Sequence, residues 1–353
     1  MSTGILSYLI PSFPVNSNLT ASLLPQDVHY PIYLAQRDSL LPFVSDRYLA
    51  VLTPVVVYWI VGGLFYFLDE AQFEYFEKRR IHESEEVTRR NRVSFADLIK
   101  AVVLQHVLQT ILGLFWLSSD EEILRTQIRI NHLEAMQSYA PWVGKAVSVL
   151  LGPKNAADFL GLAGGEVGRG LVEWNYWWGV PIFQFGLAFF IIDTHQFFLH
   201  KTMHEVPYLY RNFHSHHHRL YVPYAFGALY NHWLEGLLLD SVGAAMAEWL
   251  SGMTVRQTIL LFGFSSAKTV DDHSGYRLWW DPMQMLFANN ADYHDIHHQS
   301  FGIKKNFSQP FFTRWDHLFD TVMTREEVIN RKRVGGVSEE EAIREVEKQY
   351  KLD

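Results

Sequence analysis

The chain has 353 residues, of which 48% are hydrophobic and 15% aromatic, a composition typical of proteins with membrane-embedded and interfacial surface. It contains no cysteine, which excludes disulfide frameworks, thiolate zinc sites, iron–sulfur clusters and cysteine-ligated haem. The formal net charge of −8 argues against a nucleic-acid binder, because such proteins present a basic face. Any bound metal must therefore be held by nitrogen or oxygen ligands.

Three apolar segments are candidates for membrane-spanning helices. Residues 48–68 are uncharged over about twenty positions, the length that a helix needs to cross the hydrocarbon core. Residues 98–117 have a similar length but include one lysine, two glutamines and a histidine, so a buried helix remains an alternative to a span. Residues 176–192 begin with interfacial aromatic side chains and form a third, slightly short span.

A further apolar region, residues 237–268, is divided into two short stretches. Asp240 and Glu248 interrupt it, and Ser251-Gly252 breaks it. Each stretch is too short to cross comfortably, so we expect a re-entrant hairpin or a tight fourth and fifth helix.

The distribution of basic residues predicts the orientation. The loop at residues 69–97 contains six lysine or arginine residues between Lys78 and Arg92, which marks it as cytosolic by the positive-inside rule. The N-terminus then faces the lumen, in agreement with a glycosylation sequon at Asn18, and the chain from Asp193 onward is cytosolic. A second sequon, at Asn306, should be unused on that side. The N-terminus lacks the pattern of a secretory signal peptide.

Histidines form three clusters behind the third predicted span. The clusters are His200 and His204; His214, His217 and His218; and His294, His297 and His298. Side chains three and four residues apart lie on one face of a helix, so each cluster should direct its imidazoles one way. Eight imidazoles exceed the needs of one tetrahedral ion, which favours two metals at the cytosolic membrane surface, where a lipid chain could reach them.

The remaining histidines need separate interpretations. His216 lies about 200° around a helix from His214, and His195 is off the face of His200, so both are expected not to bind metal, although a His195–His200 pair is an alternative. His232 and His273 stand alone and could be core residues or ligands. Isolated histidines are usually structural, which is the interpretation for His29, His82, His106, His132 and His317.

The cluster pattern resembles the fatty acid hydroxylase superfamily, in which H-x(3–4)-H is followed by two H-x(2–3)-H-H motifs. The stretches LHKTMH, NFHSHHHRLYVPYAFGALYNHWLEGLLLD, KTVDDHSGY, NNADYHDIHHQSFGIKKNFSQPFF and RWD look like those of sphinganine C4-hydroxylases, from about residue 193 to 320. His195 departs from the pattern, since an aromatic residue is expected there. The resemblance implies ten metal ligands, of which the eight in the clusters are also catalytic: His200, His204, His214, His217, His218, His232, His273, His294, His297 and His298.

The resemblance also implies the activity: O2-dependent hydroxylation at C4 of sphinganine or dihydroceramide, which gives phytosphingosine or phytoceramide. Breaking an alkyl C–H bond needs a redox-active metal, so two iron ions are implied even where a purified sample carries zinc. The sequence has no flavin, haem or iron–sulfur motif. Electrons are therefore expected from outside the chain, and the resemblance implies that they come from NADH or NADPH through cytochrome b5 and its reductase, at the endoplasmic reticulum membrane.

Two other functions remain open. A sterol C4-methyl oxidase or C5-desaturase would share the clusters and the cofactor, although the stretches around His232 and His273 favour the sphingoid base. A non-catalytic metal transporter would place its ligands inside the spans rather than behind one.

Carboxylates beside the clusters are candidates to orient the imidazoles by accepting their free N–H groups. These candidates are Asp193, Glu235, Asp271, Asp272, Asp292 and Asp295.

The sequence thus predicts an all-α, multi-pass membrane protein with about four transmembrane helices and a cytosolic, histidine-rich cap that holds two metals. The predicted divisions are a lumenal segment at 1–47, transmembrane helices and loops at 48–192, the catalytic domain at 193–323 and a charged tail at 324–353, with a surface helix at 339–350. Substrate and membrane lipid, cytochrome b5 and its reductase are the expected partners, and nucleic acid is not.

Overall fold

A computed structural model describes residues 22–117 and 129–335, and side chains to residue 330. Within these ranges the chain is helical, with no β-strand and only two isolated bridges, Leu41 to Val44 and Arg80 to Tyr276. The prediction of an all-α protein is confirmed for this part of the chain. The sequon at Asn18 and the predicted helix at 339–350 lie outside the described residues.

The chain forms two compact units. One consists of the described residues up to Asp38 and from 129 to Gln184, and the other of those from Ser39 to 117 and from Phe185 to 335. The α-helices are Asp46–Ala71, Glu74–Glu77, Ser84–Arg90, Phe95–Trp116, His132–Leu151, Pro153–Leu160, Glu166–Trp174, Val180–Glu205, Pro207–Asn212, Trp233–Gly236, Gly243–Ser251, Val255–Asp272, Pro282–Leu286, Ala291–His298, Arg314–Leu318 and Arg325–Gly335. Short 3₁₀ turns are Leu162–Gly165, His214–Arg219 and Ala225–Gly227, and π-helical turns are Asn175–Gly179 and Leu237–Val242.

Three helical segments of the described chain are long and apolar enough to cross a membrane: Asp46–Ala71, Phe95–Trp116 and Leu162–Glu205. They contain the three predicted spans. Along the first, apolar side chains are exposed at every fourth position from Leu52 to Leu64, the spacing of one helix face, which suits contact with lipid. The figure of about four spans remains a prediction.

Local signals explain where the helices around residues 237–272 begin and end. Gly252 adopts a left-handed conformation (φ 65°) and ends the helix Gly243–Ser251, as expected of a residue without a side chain. Thr254 and Gln257 then form a reciprocal capping box that begins Val255–Asp272. The predicted break at Ser251-Gly252 therefore separates two helices, of which the second ends beside a candidate ligand, His273.

Close packing of two helices holds His273 in place. At Gly263, an added Cβ atom would lie 2.8 Å from the methyl group of Thr53, so the helix Val255–Asp272 approaches Asp46–Ala71 closely. The Tyr58 hydroxyl donates a 2.7 Å hydrogen bond to the Phe226 carbonyl and ties the apolar core to the loop that follows the second histidine cluster. The site is thus supported by a packed core.

The first compact unit was not predicted. Where the sequence analysis expected loops between spans, the helices His132–Leu151, Pro153–Leu160 and Glu166–Trp174 bury a small core of their own. His132 approaches the Tyr176 hydroxyl at 2.8 Å. The predicted domain boundaries remain predictions.

Candidate metal centre

Nine histidines converge in two groups in the second unit, and none is more than 6% exposed. The first group comprises His200, His204, His214, His218 and His297, and the second comprises His217, His273, His294 and His298. Within each group the ligand nitrogens all lie within 4.8 Å of one another. The structure thus brings together nine of the ten histidines for which the family resemblance implied metal binding.

Four elements supply these side chains. Each cluster was expected to direct all its imidazoles to one side of its helix, and this holds for only one of the three clusters. His200 and His204 are one turn apart on Val180–Glu205 and share a group. The 3₁₀ helix His214–Arg219 instead divides the adjacent His217 and His218 between the two groups, and the helix Ala291–His298 divides its last two residues in the same way. The prediction of one direction per cluster is confirmed for His200 and His204 and is wrong for the other two clusters, because neighbouring side chains there point apart.

Backbone carbonyls fix the orientation of five imidazoles. The Nδ1 to carbonyl distances are 2.8 Å for His200 to Phe307, 3.1 Å for His217 to Tyr230, 2.8 Å for His273 to Thr269, 2.7 Å for His297 to Lys305 and 2.8 Å for His298 to Leu220. A carbonyl oxygen only accepts, so each Nδ1 carries the proton and donates it. The Nε2 lone pair of each ring is consequently available as a ligand.

The convergence of these lone pairs fits a bound cation. In the second group, the Nε2 lone pairs of His217, His273 and His298 lie within 4.8 Å of one another. In the first, His297 Nε2 is buried and has no hydrogen-bond partner. Lone pairs brought together in this way repel unless a positive charge lies between them.

Spacing between neighbouring rings supports the same conclusion. Nε2 atoms are 3.0 Å apart in His200 and His214, and 3.1 Å apart in both His294–His273 and His298–His294. Two nitrogens at this separation could both reach one ion at the usual metal–nitrogen distance of about 2.1 Å. The residues present therefore fit two metal ions, one in each group.

Electrostatics keep these rings neutral, the form that binds metal. Burial, with a smaller contribution from neighbouring histidines, lowers the pKa of His217 to about 4 and of His273 to about 3. Burial likewise holds the pKa well below the usual value for His214, His218, His294, His297 and His298.

Glu235 is the one predicted carboxylate that contacts an imidazole of either group. Its Oε1 lies within hydrogen-bonding distance of His214 Nδ1, and the residue is 2% exposed. Burial, with a smaller effect of Asp240, raises its pKa well above the usual value.

The five other candidate acids bind the surrounding scaffold. Asp193 accepts hydrogen bonds from the backbone of Phe311 and Phe312 at 3.0 and 2.9 Å. Asp271 accepts a hydrogen bond from Gln284, and Asp272 accepts from Lys268 and Asn289. Asp292 accepts from Arg325. Asp295 contacts His82, Gln299 and Arg325. These acids hold the elements that carry the histidines.

Three of the histidines considered individually in the sequence, His195, His216 and His232, lie outside both groups. His195 Nε2 is 2.8 Å from the Leu238 carbonyl, which disfavours the alternative pair with His200, and His216 stacks on Tyr230. His232, implied as a ligand by the resemblance, caps a short helix instead: its Nδ1 accepts a 3.3 Å hydrogen bond from the backbone of Leu234.

Two adjacent cavities lie at the centre and beside it. The smaller is lined by His214, His217, His273 and His294 together with mainly polar side chains. The larger is mostly apolar and contains none of the grouped histidines in its wall. Both are lined by Gln196, Asp240, Thr269 and Pro310, which form their junction.

Comparison with known proteins supplies the context for this centre. Residues 185–321 match the fatty acid hydroxylase family model. The chain is 41% identical over 314 residues to the sphingolipid C4-hydroxylase of Saccharomyces cerevisiae, covering 88% of this chain and 82% of the relative. It is 42% identical to that of Schizosaccharomyces pombe (78% and 87% covered) and 38% identical to sphinganine C4-monooxygenase 1 of Arabidopsis thaliana (79% and 89% covered). No solved structure matches the chain.

Proposed function

Because this chain belongs to the fatty acid hydroxylase family, we propose that it hydroxylates C4 of sphinganine or dihydroceramide, with O2 as cosubstrate. The product would be phytosphingosine or phytoceramide. The chain is a membrane hydroxylase, and the activities for which its relatives are named support the choice of substrate. The observation that carries the proposal is the pair of buried histidine groups, which line a small cavity that shares four wall residues with a larger, mostly apolar one.

Nine histidines are proposed to hold two iron ions, one in each group. Iron would supply the redox chemistry with O2 that inserts oxygen into an alkyl C–H bond, which zinc lacks. The protein's part is to present neutral imidazoles, to fix their tautomers through carbonyls and Glu235, and to exclude bulk water by burial. His232 is left out of this ligand set because its ring lies elsewhere.

Electrons are proposed to come from NADH or NADPH through cytochrome b5 and its reductase. No flavin, haem or iron–sulfur motif in the sequence could deliver them from within the chain. We further propose residence in the endoplasmic reticulum membrane, with residues 193–323 as a catalytic domain that faces the cytosol.

The decisive experiment reconstitutes purified protein with iron, O2, an electron donor and sphinganine, and identifies the product by mass spectrometry. We expect hydroxylation at C4, abolished by His297→Ala or His217→Ala, each of which removes a ligand from one group. His216→Ala is the matched control, because His216 is adjacent to His217 but lies outside both groups. Equal loss in all three variants would contradict the ligand assignment.

The substrate class is tested in cells that lack the protein. Loss of phytoceramide supports the proposal, whereas accumulation of sterol intermediates would indicate a sterol oxidase instead. Failure of the reconstituted protein to hydroxylate any lipid, with transport of metal across vesicles, would indicate a transporter.

A further inference from the structure

The two cavities differ in polarity, and this difference would determine the orientation of a bound amphiphilic substrate. Apolar side chains that line the larger cavity include Val51, Leu112, Trp116, Ile192, Leu229 and Phe262. The smaller cavity is lined by histidines of both groups and by polar residues such as Asn231 and Glu235. An amphiphile with one long chain would place its tail in the larger cavity and its polar head in the smaller one.

Asp240 lies at the junction of these cavities and lines both of them. Its Oδ2 accepts a 2.8 Å hydrogen bond from Gln105 Nε2. Across the side chains described, none of the ion pairs formed by lysine, arginine or histidine involves Asp240. A carboxylate on an apolar cavity wall is costly to desolvate unless a donor or a cation approaches it.

The surrounding backbone holds this carboxylate in position. Asp240 belongs to the π-helical turn Leu237–Val242, a local geometry that is frequent at functional sites. Gln105 is 3% exposed, and its amide packs against Gly236, where a Cβ atom would overlap it. The absence of a side chain at position 236 therefore lets Gln105 reach Asp240.

Resting on the proposed function, we propose that Asp240 binds the nitrogen on C2 of the sphingoid head and thereby holds C4, two bonds further along the chain, at the mouth of the histidine-lined cavity. The C2 nitrogen of a sphingoid base carries a positive charge, and that of a ceramide carries one N–H donor. Both can donate to a carboxylate, and C2 is two bonds from C4. Asp240 would thus determine both which lipids are accepted and which carbon is oxidised.

The experiment compares Asp240→Asn with the wild type on sphinganine and on octadecane-1,3-diol, which lacks the nitrogen. Asparagine keeps the shape and can still accept a hydrogen bond from Gln105, but it removes the charge. Since a hydrogen bond to a charged group contributes more than a neutral one, kcat/KM for sphinganine should fall about ten- to one-hundred-fold. The value for the diol should stay unchanged, and products oxidised away from C4 should increase.

Two controls distinguish a failure of the proposed role of Asp240 from a failure of the proposed hydroxylase function. Asp97→Asn removes a carboxylate from an exposed position and should leave both substrates unaffected. Metal content of Asp240→Asn should equal that of the wild type. Equal kcat/KM losses for both substrates, or no loss, would overturn the role of Asp240, whereas a wild type that hydroxylates neither lipid would overturn the proposed function itself.

Discussion

Glu235 shows how much a single residue beside the ligands can matter. Among the side chains described, it is the one acid hydrogen-bonded to a grouped imidazole, at His214, and such partners typically change metal affinity or activity about 10–100-fold. We expect Glu235→Ala to reduce metal retention or turnover by that factor, because His214 loses its acceptor. Elemental analysis after dialysis against a chelator and the hydroxylation assay measure the two effects.

The matched control for that variant is Glu83→Ala, which removes an exposed glutamate. If Glu235→Ala retained its metal after dialysis and showed wild-type turnover, then the orientation of His214 by Glu235 would contribute neither to metal binding nor to activity.

His82 carries a pH-dependent contribution to stability outside the centre. Burial opposes its protonation, but the 2.8 Å contact with Asp295, aided by Glu86, raises its pKa above the usual value. Because the pKa of His82 is higher in the folded state, the contact adds to the free energy of unfolding. This contribution is fully present below the unfolded-state pKa of about 6.5 and is lost as the pH rises through the folded-state pKa. The deficit in Tm of His82→Gln should therefore be largest near pH 6 and shrink by about pH 9. A deficit that grows with pH would contradict this role.

The histidines that converge were easier to predict than the groups that orient them. Paired spacing identified His200 and His204 as candidates, whereas their neighbours in space could not be identified. Five Nδ1 atoms bind backbone carbonyls, which every residue possesses and which leave no mark in the sequence. His232 matched a family motif equally well, yet its ring caps a helix, a difference that only the local backbone determines.

Among the elements, the contact between Asp46–Ala71 and Val255–Asp272 is the sharpest test of packing. Gly263→Leu would drive a side chain into Thr53, and overpacking costs about 1–3 kcal/mol. Gly186→Leu makes the same change in the helix Val180–Glu205. A Cβ atom added at Gly186 would have no atom within 4 Å, so the Tm of this variant should equal or exceed that of the wild type. Thermal unfolding of both variants measures the difference, and equal Tm values would contradict close packing at Gly263.

Element types were predicted better than element geometry. Hydrophobic length identified three helices able to span a membrane, because the bilayer thickness fixes that length. The 3₁₀ geometry of His214–Arg219 was missed, since a period of 3.6 was assumed. The helices between 129 and 174 were missed as well, because their short, mixed sequences bury only a small core.

For the whole molecule, metal should stabilise the fold, because the nine proposed ligands come from four separate elements. Chelation should lower the Tm of the protein, and iron should restore both Tm and hydroxylation. Zinc should restore Tm alone, because it is redox-inactive. Differential scanning fluorimetry beside the activity assay distinguishes these results. An unchanged Tm on removal of both metals would mean that the site is preformed without them.

The division of adjacent histidines between the two groups has a consequence for how the centre can vary. His217 and His218 are joined by one peptide unit, as are His297 and His298, so each pair would link the two proposed metal sites through Cα atoms about 3.8 Å apart. No domain movement could separate the two histidine groups without breaking these short covalent links. Differences in selectivity among enzymes built this way should consequently arise in the walls that would receive the lipid, while the distance between the two groups stays constant.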